Sequence, residues 1–504
     1  MWTPARLVAL AAALLAPLLP LAAQAPPPAS ADTQLQLGDG LAADARFRDA
    51  ADAYRRAIAA PAPDPAVTRR ARLGLTVMLL RVGDFAGARA QVEPLAQAAS
   101  PDAPAWSLYG DTLWAFGLFE EAEHAYDAAL QADPLDARGH HGRARALTAG
   151  SRLADALVEA QAALTLAPRD PELHHTVGVI YERQHRFDEA AEAFGAYVTL
   201  LPSRDHSEQA LWTRAQIRLL DAFRGRTPVD IAGPADAGRT WTVPIRIQRE
   251  KVMVSVRVNG GPASEFILDT GAEQTILSRS LARKRSVAPV ADMQTAGVGD
   301  VGLRGLQVGR IDSLEIGTLM VRNVPCLIKN PPLEDLPARE PQSFSPLALG
   351  LSMRVDYARR QLVMARTLPP AAYATALPLR LYRLATVRGI VNGRPATFVV
   401  DTGGEVIAIS RATAGQMTGA RAFRRIPLKV YGTSGWDTDA FLLPNVDLDF
   451  SSIHFSKIPV VVLDLRAPSA VLGFQLGGIV GHRFLSQYRV SIDLVRSIVG
   501  LETN

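Results

Sequence analysis

One phrase occurs twice in this sequence. Residues 266–278 read FILDTGAEQTILS, and residues 398–410 read FVVDTGGEVIAIS, so each copy places Asp-Thr-Gly between two apolar runs. A single Asp-Thr-Gly is typical of an ordinary turn in which the aspartate bonds to nearby backbone. Two copies, 132 residues apart and in matched surroundings, instead indicate an internal duplication.

The sequence that flanks the two copies repeats as well. VNGGPASEFILDTG and VNGRPATFVVDTG align with one residue inserted in the first. Further on, LALG ends at Gly350 and GIVG ends at Gly481, and each is followed by an alternating apolar pattern typical of a strand. Asp356 follows Gly350 by 6 residues and Asp493 follows Gly481 by 12, so we expect a shorter turn in the first copy. These patterns predict two mainly β lobes, residues 239–370 and 371–504.

The duplicated residues resemble the aspartic peptidases, and in particular the retropepsin-like lobe. The resemblance implies an all-β bilobal fold in which Asp269 and Asp401 form a catalytic dyad. Two carboxyl groups that share a site cannot both ionise readily, so one would act as base towards a water and the other as acid. The resemblance also implies residues that support the dyad, with threonines bonding across the lobes and glycines permitting the tight turns: Thr270, Gly271, Thr402 and Gly403.

Two features of the expected cleft are less regular. Gly404 follows the second Asp-Thr-Gly where Ala272 follows the first, so we expect a looser second loop and a pseudo-symmetric site. The family covers its cleft with β-hairpin flaps, which exclude water from the reaction. The candidate flap residues are Gly297 and Gly299 in the first lobe, and Tyr431, Gly432 and Trp436 in the second.

The N-terminal half has a helical pattern with a 34-residue repeat, seen at Ala88, Ala122, Ala156 and Ala190. It resembles the tetratricopeptide repeat, and we predict an α-solenoid over residues 33–223 with about five repeats and a capping helix. The resemblance implies a concave face that binds a protein partner. The overall fold class is therefore multidomain α + β.

Two local patterns complete the solenoid region. The histidine pairs 140–141 and 174–175 occupy equivalent repeat positions. We expect one histidine of each pair to pack inside and the other to line the concave face, and we prefer this to a metal site. Residues 224–238 are rich in Gly, Pro and Asp and are expected to form a linker to the first lobe.

The first 25 residues have the pattern of an export signal. Arg6 precedes the apolar run LVALAAALLAPLLPLAA, and a small-residue cleavage site follows at Ala23-Gln24-Ala25. No later stretch is long and apolar enough to span a membrane. Cys326 is the single cysteine, expected in a buried strand, so the chain has no intramolecular disulfide. We expect a bacterial periplasmic protein, with secretion as the alternative.

The chemistry of the sequence limits the classes of function. The net charge is only +4 and no dense basic block is present, so nucleic acid is not an expected partner. We expect no cofactor and no metal. The sequence predicts an exported aspartic endopeptidase whose substrate is a polypeptide. Two alternatives stay open: a catalytically silent peptide-binding scaffold, and a module that pairs each Asp-Thr-Gly with another chain.

Overall fold

The computed structural model describes residues 30–201, 207–233, 238–298, 303–329, 342–417, 425–432 and 435–503. The expected export signal and Gly299 lie outside the described residues. Within the described part of the chain, no helix is long and apolar enough to cross a membrane.

The described residues of the N-terminal half form a stack of eleven helices. They are α1 Ala31–Ala43, α2 Phe47–Ala59, α3 Pro65–Arg81, α4 Phe85–Ala96, α5 Ala103–Ala115, α6 Phe119–Ala132, α7 Ala137–Ala149, α8 Leu153–Leu166, α9 Pro171–Arg183, α10 Phe187–Leu200 and α11 Glu208–Asp221. Aspartate side chains cap the first helix of several pairs, as Asp102, Asp136 and Asp170 do for α5, α7 and α9. Helices α1–α10 form five sequential pairs, and α11 follows the last of them.

Small residues let these helices approach closely. A Cβ atom added at Gly142 would lie 2.1 Å from the Tyr126 ring, and one added at Gly110 would lie 2.5 Å from it. The Tyr126 hydroxyl donates to Asp111, which also receives Arg138. The periodic glycines and aromatics of the sequence therefore mark helix contacts.

The C-terminal half is mainly β. Its strands are β1 Asp230–Ile231, β2 Thr240–Pro244, β3 Arg246–Gln248, β4 Lys251–Val258, β5 Ser264–Leu268, β6 Thr275–Ser278, β7 Pro289–Ala296, β8 Leu303–Ile316, β9 Leu319–Lys329, β10 Gln342–Phe344, β11 Ser352–Asp356, β12 Gln361–Ala365, β13 Thr375–Pro378, β14 Arg380–Tyr382, β15 Leu384–Val391, β16 Arg394–Val400, β17 Ile407–Ser410, β18 Ile426–Pro427, β19 Val430–Gly432, β20 Gly435–Asp437, β21 Phe441–Phe450, β22 Ile453–Leu463, β23 Gly478–Val480, β24 Tyr488–Asp493 and β25 Ile498–Thr503. Short helices are α12 Arg279–Lys284, α13 Arg411–Gln416, α14 Arg466–Leu472 and α15 His482–Leu485. The predicted fold class, an α-solenoid followed by a bilobal β region, is confirmed.

The two lobes share one strand arrangement. In the first lobe, β10 lies between β5, to which it is parallel, and β6, to which it is antiparallel. In the second lobe, β23 lies in the same way between β16 and β17. Each lobe closes on itself, through the β8–β9 pair in the first and the β15–β21 pair in the second.

A six-stranded sheet joins the lobes. Its order is β13-β25-β24-β11-β12-β2, so three strands come from each lobe. Strands β11 and β24 meet at the centre and pair Met353 with Ile492. Because the joint consists of backbone hydrogen bonds between lobes, one chain supplies both halves of the cleft.

The structure corrects the alignment of the later glycines. Phe344 pairs with Leu268 and Val480 pairs with Val400, so Ser345, and not Gly350, is the counterpart of Gly481. The expected shorter turn in the first lobe is also wrong. A 3₁₀ turn over Pro346–Leu349 occupies the place that α15 takes in the second lobe. The apolar-apolar-Gly pattern misled because Gly350 ends this turn with φ of 67°.

Two further details of the β region follow from packing. Residues 230–231, which lie within the expected linker, form β1 and pair with β9 of the first lobe. Cys326 is buried in β9, as predicted.

The solenoid contacts both lobes. Against the second lobe, Trp114 packs edge-on against Tyr382 with ring centroids 5.4 Å apart, and the Gln475 amide donates to the Ala115 carbonyl at 2.7 Å. Against the first lobe, Phe223 and Met293 belong to one buried apolar cluster at the contact of α11 with β7. The solenoid therefore packs against both lobes and is not held to them by the linker alone.

Candidate active site

The two aspartates stand at equivalent strand ends. Asp269 follows β5 and its amide donates to the Phe344 carbonyl at 2.9 Å, while Asp401 follows β16 and its amide donates to Val480 at 3.0 Å. Both side chains are half-buried. The central strands β10 and β23 thus position the two loops in the same way.

Reciprocal hydrogen bonds lock the two loops together. The Thr270 amide donates to the Thr402 hydroxyl, and the Thr402 amide donates to the Thr270 hydroxyl, each at 3.1 Å. The Thr270 hydroxyl donates onward to the Val400 carbonyl, and the Thr402 hydroxyl donates to Leu268 at 2.8 Å. Both threonines are buried. All four bonds cross between lobes, so they fix the spacing of the aspartates.

The glycines of each loop lie against the aspartate of the other. A Cβ atom at Gly271 would come within 2.6 Å of the Asp401 carboxyl carbon, and one at Gly403 would come within 2.7 Å of the Asp269 carboxyl carbon. Any larger residue would push into the facing carboxyl group. The structure therefore brings together the six residues that the sequence singled out for the dyad and its support.

Two hairpins lie where flaps were expected. Strands β7 and β8 pair from Pro289 to Ala296, and we call this hairpin the first flap. Strands β19 and β20 pair Tyr431 with Trp436 and Gly432 with Gly435, and we call this hairpin the second flap. A Cβ atom at Gly432 would lie 2.2 Å from the Val298 carbonyl oxygen, so the two flaps touch.

The predicted flap residues fall in different places. Gly297 lies beside Val298 at the end of the first flap, and Gly432 makes the contact between flaps. Trp436 is 41% exposed, so its ring is not buried beneath the flap.

Comparisons with known proteins agree with this geometry. The family model for the gag-polyprotein putative aspartyl protease matches residues 254–353 and again residues 387–487. A tetratricopeptide repeat model matches residues 35–104 and 109–171. The chain carries a gag-polyprotein-like aspartyl protease domain in two repeats, preceded by tetratricopeptide repeats. No curated protein matches the chain significantly.

Several solved structures match part of this chain, and three of them each cover between 36% and 38% of it. One is a thermophilic tetratricopeptide protein of Thermus thermophilus, 19% identical, covering 38% of this chain and 99% of its own, with a TM-score of 0.32. Another is YrrB, described as having an unusual peptide-binding site, at 17% identity, 36% and 91% coverage, and a TM-score of 0.23. A third is Pseudomonas aeruginosa pilF, at 16% identity, 38% and 84% coverage, and a TM-score of 0.28.

The two Asp-Thr-Gly loops differ in the backbone hydrogen bonds that their aspartates accept. Asp401 accepts the amides of Gly403 at 2.8 Å and Gly404 at 2.9 Å, whereas Asp269 accepts only the Gly271 amide at 3.0 Å among the backbone donors described. The expectation that Gly404 loosens its loop is therefore wrong. A Cβ atom there would lie 2.9 Å from an Asp401 oxygen, so glycine permits the second hydrogen bond.

These contacts separate the two acids electrostatically. Burial, together with the neighbouring Asp401 carboxylate, raises the pKa of Asp269 to about 7. Burial also raises the pKa of Asp401, but the amides of Gly404 and Gly403 and the charge of Lys251 oppose that rise. Donors to a carboxylate favour its ionised form. At Asp269 the Ser343 hydroxyl and the Gly271 amide also oppose the rise in pKa. Because two amides and a cation favour ionised Asp401, we assign the shared proton to Asp269.

Two ion pairs that were not predicted from the sequence flank the aspartyl protease loops. Lys251 pairs with Glu405 at 3.2 Å, and Arg383 pairs with Glu273 at 2.9 Å. Each base lies 18 residues before its own repeat's aspartate, and each acid lies four residues after one. The equal spacing in the two repeats could have indicated that these four residues are related. Their pairing could not be predicted, because each pair joins residues of different lobes.

Lys251 is expected to lower the pH at which kcat/KM for peptide hydrolysis falls off on the acid side. Its ammonium group donates to the Gly403 carbonyl beside Asp401. In Lys251→Gln the pKa of Asp401 should rise, so the acid limb of a kcat/KM–pH profile should move up by as much as about one pH unit. Lys284→Gln, on the exposed end of α12, is the matched control and should leave the profile unchanged. An unmoved acid limb in Lys251→Gln would rule out this role.

The histidine pairs of the solenoid have identifiable contacts. Among the described residues, no group of three His, Cys, Asp or Glu side chains is placed to hold a metal ion. His140 bonds to Glu159 and to the Pro134 carbonyl, and His174 bonds to the Pro168 carbonyl, so these first histidines of each pair hold repeat turns. His141 and His175 line a cavity between solenoid and lobes.

Proposed function

We propose that the chain is an aspartic endopeptidase in which Asp269 and Asp401 form the dyad. One observation carries the proposal: two Asp-Thr-Gly loops are held face to face by reciprocal hydrogen bonds, and two hairpins, one from each lobe, contact each other. An ordinary pair of turns would need neither the crossed threonines nor glycines against the opposite carboxyl group.

The unequal acids suit a division of labour. Ionised Asp401 removes a proton from a water, and the water oxygen attacks the carbonyl carbon of the scissile peptide. Asp269 donates its proton to the carbonyl oxygen, which gives a tetrahedral diol. Asp401 then passes its proton to the amide nitrogen while Asp269 takes back a proton from a hydroxyl, and the C–N bond breaks. Each acid ends in its starting protonation state, and no covalent intermediate forms.

The surrounding domains bear on substrate and place. The substrate is a polypeptide held in extended form under the flaps, and the tetratricopeptide repeats recruit or orient it or bind a protein partner. The sequence pattern of residues 1–25 supports export, to the periplasm if the source is bacterial. The second candidate, a peptide-binding protein without catalysis, keeps the same cleft.

The proposal is tested by incubating the purified chain with a random peptide pool across acid to neutral pH. Mass spectrometry should find new peptide ends. Added hydroxylamine should give no hydroxamate products, because water attacks directly and no acyl-enzyme exists to be captured. Hydroxamate formation would overturn the mechanism, and binding without cleavage would favour the second candidate.

A further inference from the structure

A large cavity lies between the solenoid and the aspartyl protease lobes. It has a volume of about 650 Å³, within the range of sites that hold organic ligands. Its solenoid wall includes His175, Glu182 and Trp212, and its lobe wall includes Glu273 and Arg383. We call this cavity the chamber.

The chamber reaches residues next to the candidate active site, although neither Asp269 nor Asp401 lines it. Ala272, Glu273 and Gln274 line it, and they directly follow the Asp269 loop. Asp292 and Met293 of the first flap line it as well. A peptide segment that extends from the dyad along residues 272–274 would therefore reach the chamber.

The two ends of the cleft differ because of the solenoid. At the chamber end, the side chains of the Arg383–Glu273 pair are 18% and 30% exposed, and the Arg383 guanidinium lies 4.5 Å from the centre of the Trp212 ring. At the opposite end, the Lys251–Glu405 pair is more open, with Glu405 54% exposed. The solenoid thus covers one end of a cleft whose two halves are otherwise alike.

The chamber wall has polar groups that lack a full set of partners. His175 is about nine-tenths buried, and its Nε2 atom has no hydrogen-bond partner among the described residues. The Glu182 carboxylate receives Gln216 but has no ion pair within the described part of the chain. Burial raises the pKa of Glu182 to about 7. Such groups are costly to bury unless a ligand satisfies them.

The apolar part of the wall indicates what kind of ligand fits. Trp114, Trp212 and Tyr382 line the chamber, and large aromatic surfaces bind apolar side chains well. A peptide segment supplies both such side chains and the backbone N–H and C=O groups that His175 and Glu182 can bond.

We propose that the chamber is a peptide subsite for the substrate segment on one side of the scissile bond, taking a large apolar side chain against Trp212. The segment on the other side leaves past Glu405 towards solvent. The inference rests on the proposed function, of which it names the substrate class: polypeptides that extend beyond the dyad into the solenoid.

Binding is measured separately from cleavage. Fluorescently labelled random pools of 4, 8 and 12 residues are titrated into the Asp269→Asn protein, and the same pools are digested by the wild type. We expect affinity to increase with peptide length. In Trp212→Ala the affinity for the long pools should fall approximately tenfold, and Trp212→Phe should largely restore it. Leu211→Arg, at a 46% exposed chamber position, should block long peptides without disturbing the core. Val158→Ala, 65% exposed on α8, is the control and should change nothing.

The possible results separate the two proposals. If the wild type cleaves peptides but neither length nor the Trp212 and Leu211 variants alter binding or cleavage, the chamber is not a subsite and the endopeptidase stands. If no pool is cleaved yet long peptides bind in a Trp212-dependent way, the endopeptidase proposal is wrong, and the chamber is a peptide-binding site but not a subsite of an enzyme. Thermal unfolding of each variant shows that lost binding is not lost structure.

Discussion

Asp269→Asn and Asp401→Asn are each expected to lower kcat for peptide hydrolysis by at least about a thousandfold. Proton transfer by a positioned side chain contributes about 10²–10⁴-fold, and here each aspartate takes part in both the attack and the breakdown step. Asparagine has nearly the same shape, so the loops and their crossed hydrogen bonds should persist. The measurement is the rate of new peptide ends formed by wild type and variants at one pH.

The matched control is Asp312→Asn, an exposed acid in the first lobe that pairs with Arg310. It should retain wild-type activity. Persistent cleavage in both dyad variants would end the dyad hypothesis.

Thermal stability should show whether Asp269→Asn loses activity through lost chemistry or through misfolding. Burial and the neighbouring Asp401 carboxylate raise the pKa of Asp269 to about 7, above the value of about 3.9 for an unperturbed aspartate. A raised pKa means that folding favours the protonated form, so this group's stabilising contribution is present below about pH 4 and is lost as pH rises towards 7. Asp269→Asn has no carboxyl group to ionise here, so it does not lose this stability as pH rises. Its melting temperature at neutral pH should be no lower than that of wild type.

Thr402→Val is expected to lower the free energy of unfolding by about 3 kcal/mol. Valine keeps the shape but removes the hydroxyl that accepts the Thr270 amide and donates to Leu268. Both backbone groups would be left buried without a partner, and each such group costs about 1–3 kcal/mol. Chemical denaturation followed by tryptophan fluorescence measures the change.

Thr402→Ser is the matched control, since it keeps the hydroxyl and loses one methyl group, at a cost of about 0.8 kcal/mol. Activity should follow the same order, because a slack loop no longer holds Asp401 at a fixed distance from Asp269. Equal stability of the valine and serine variants would show that the crossed hydrogen bonds contribute nothing measurable.

The fold class could be predicted from local patterns in the sequence. The 34-residue step predicts helix pairs because a helix repeat must present the same small and aromatic residues to each neighbour, as Gly110 and Tyr126 do. The alternating apolar runs and the doubled Asp-Thr-Gly predict two β lobes, because each strand must show one side to a core. These signals lie within single elements, so they can be read along the chain.

Other features depend on groups far apart in sequence. The equivalence of Ser345 with Gly481 was missed because strand pairing, and not the local apolar-apolar-Gly pattern, decides which residue follows β10. The Gly404 amide bond to Asp401 and the Lys251–Glu405 pair were missed for the same reason. Such contacts are set by the relative position of loops.

The sequence by itself determined that two Asp-Thr-Gly lobes follow a helical repeat, since duplication and periodicity are properties of the chain. Only the tertiary structure decided that Asp401 is the more acidic member of the pair, because that depends on donors and charges placed around each carboxyl group. It also decided that the solenoid lies across one end of the cleft. Packing of Trp212 on Arg383 and of α11 on the first flap fixes that position, and neither contact has a signature in local sequence.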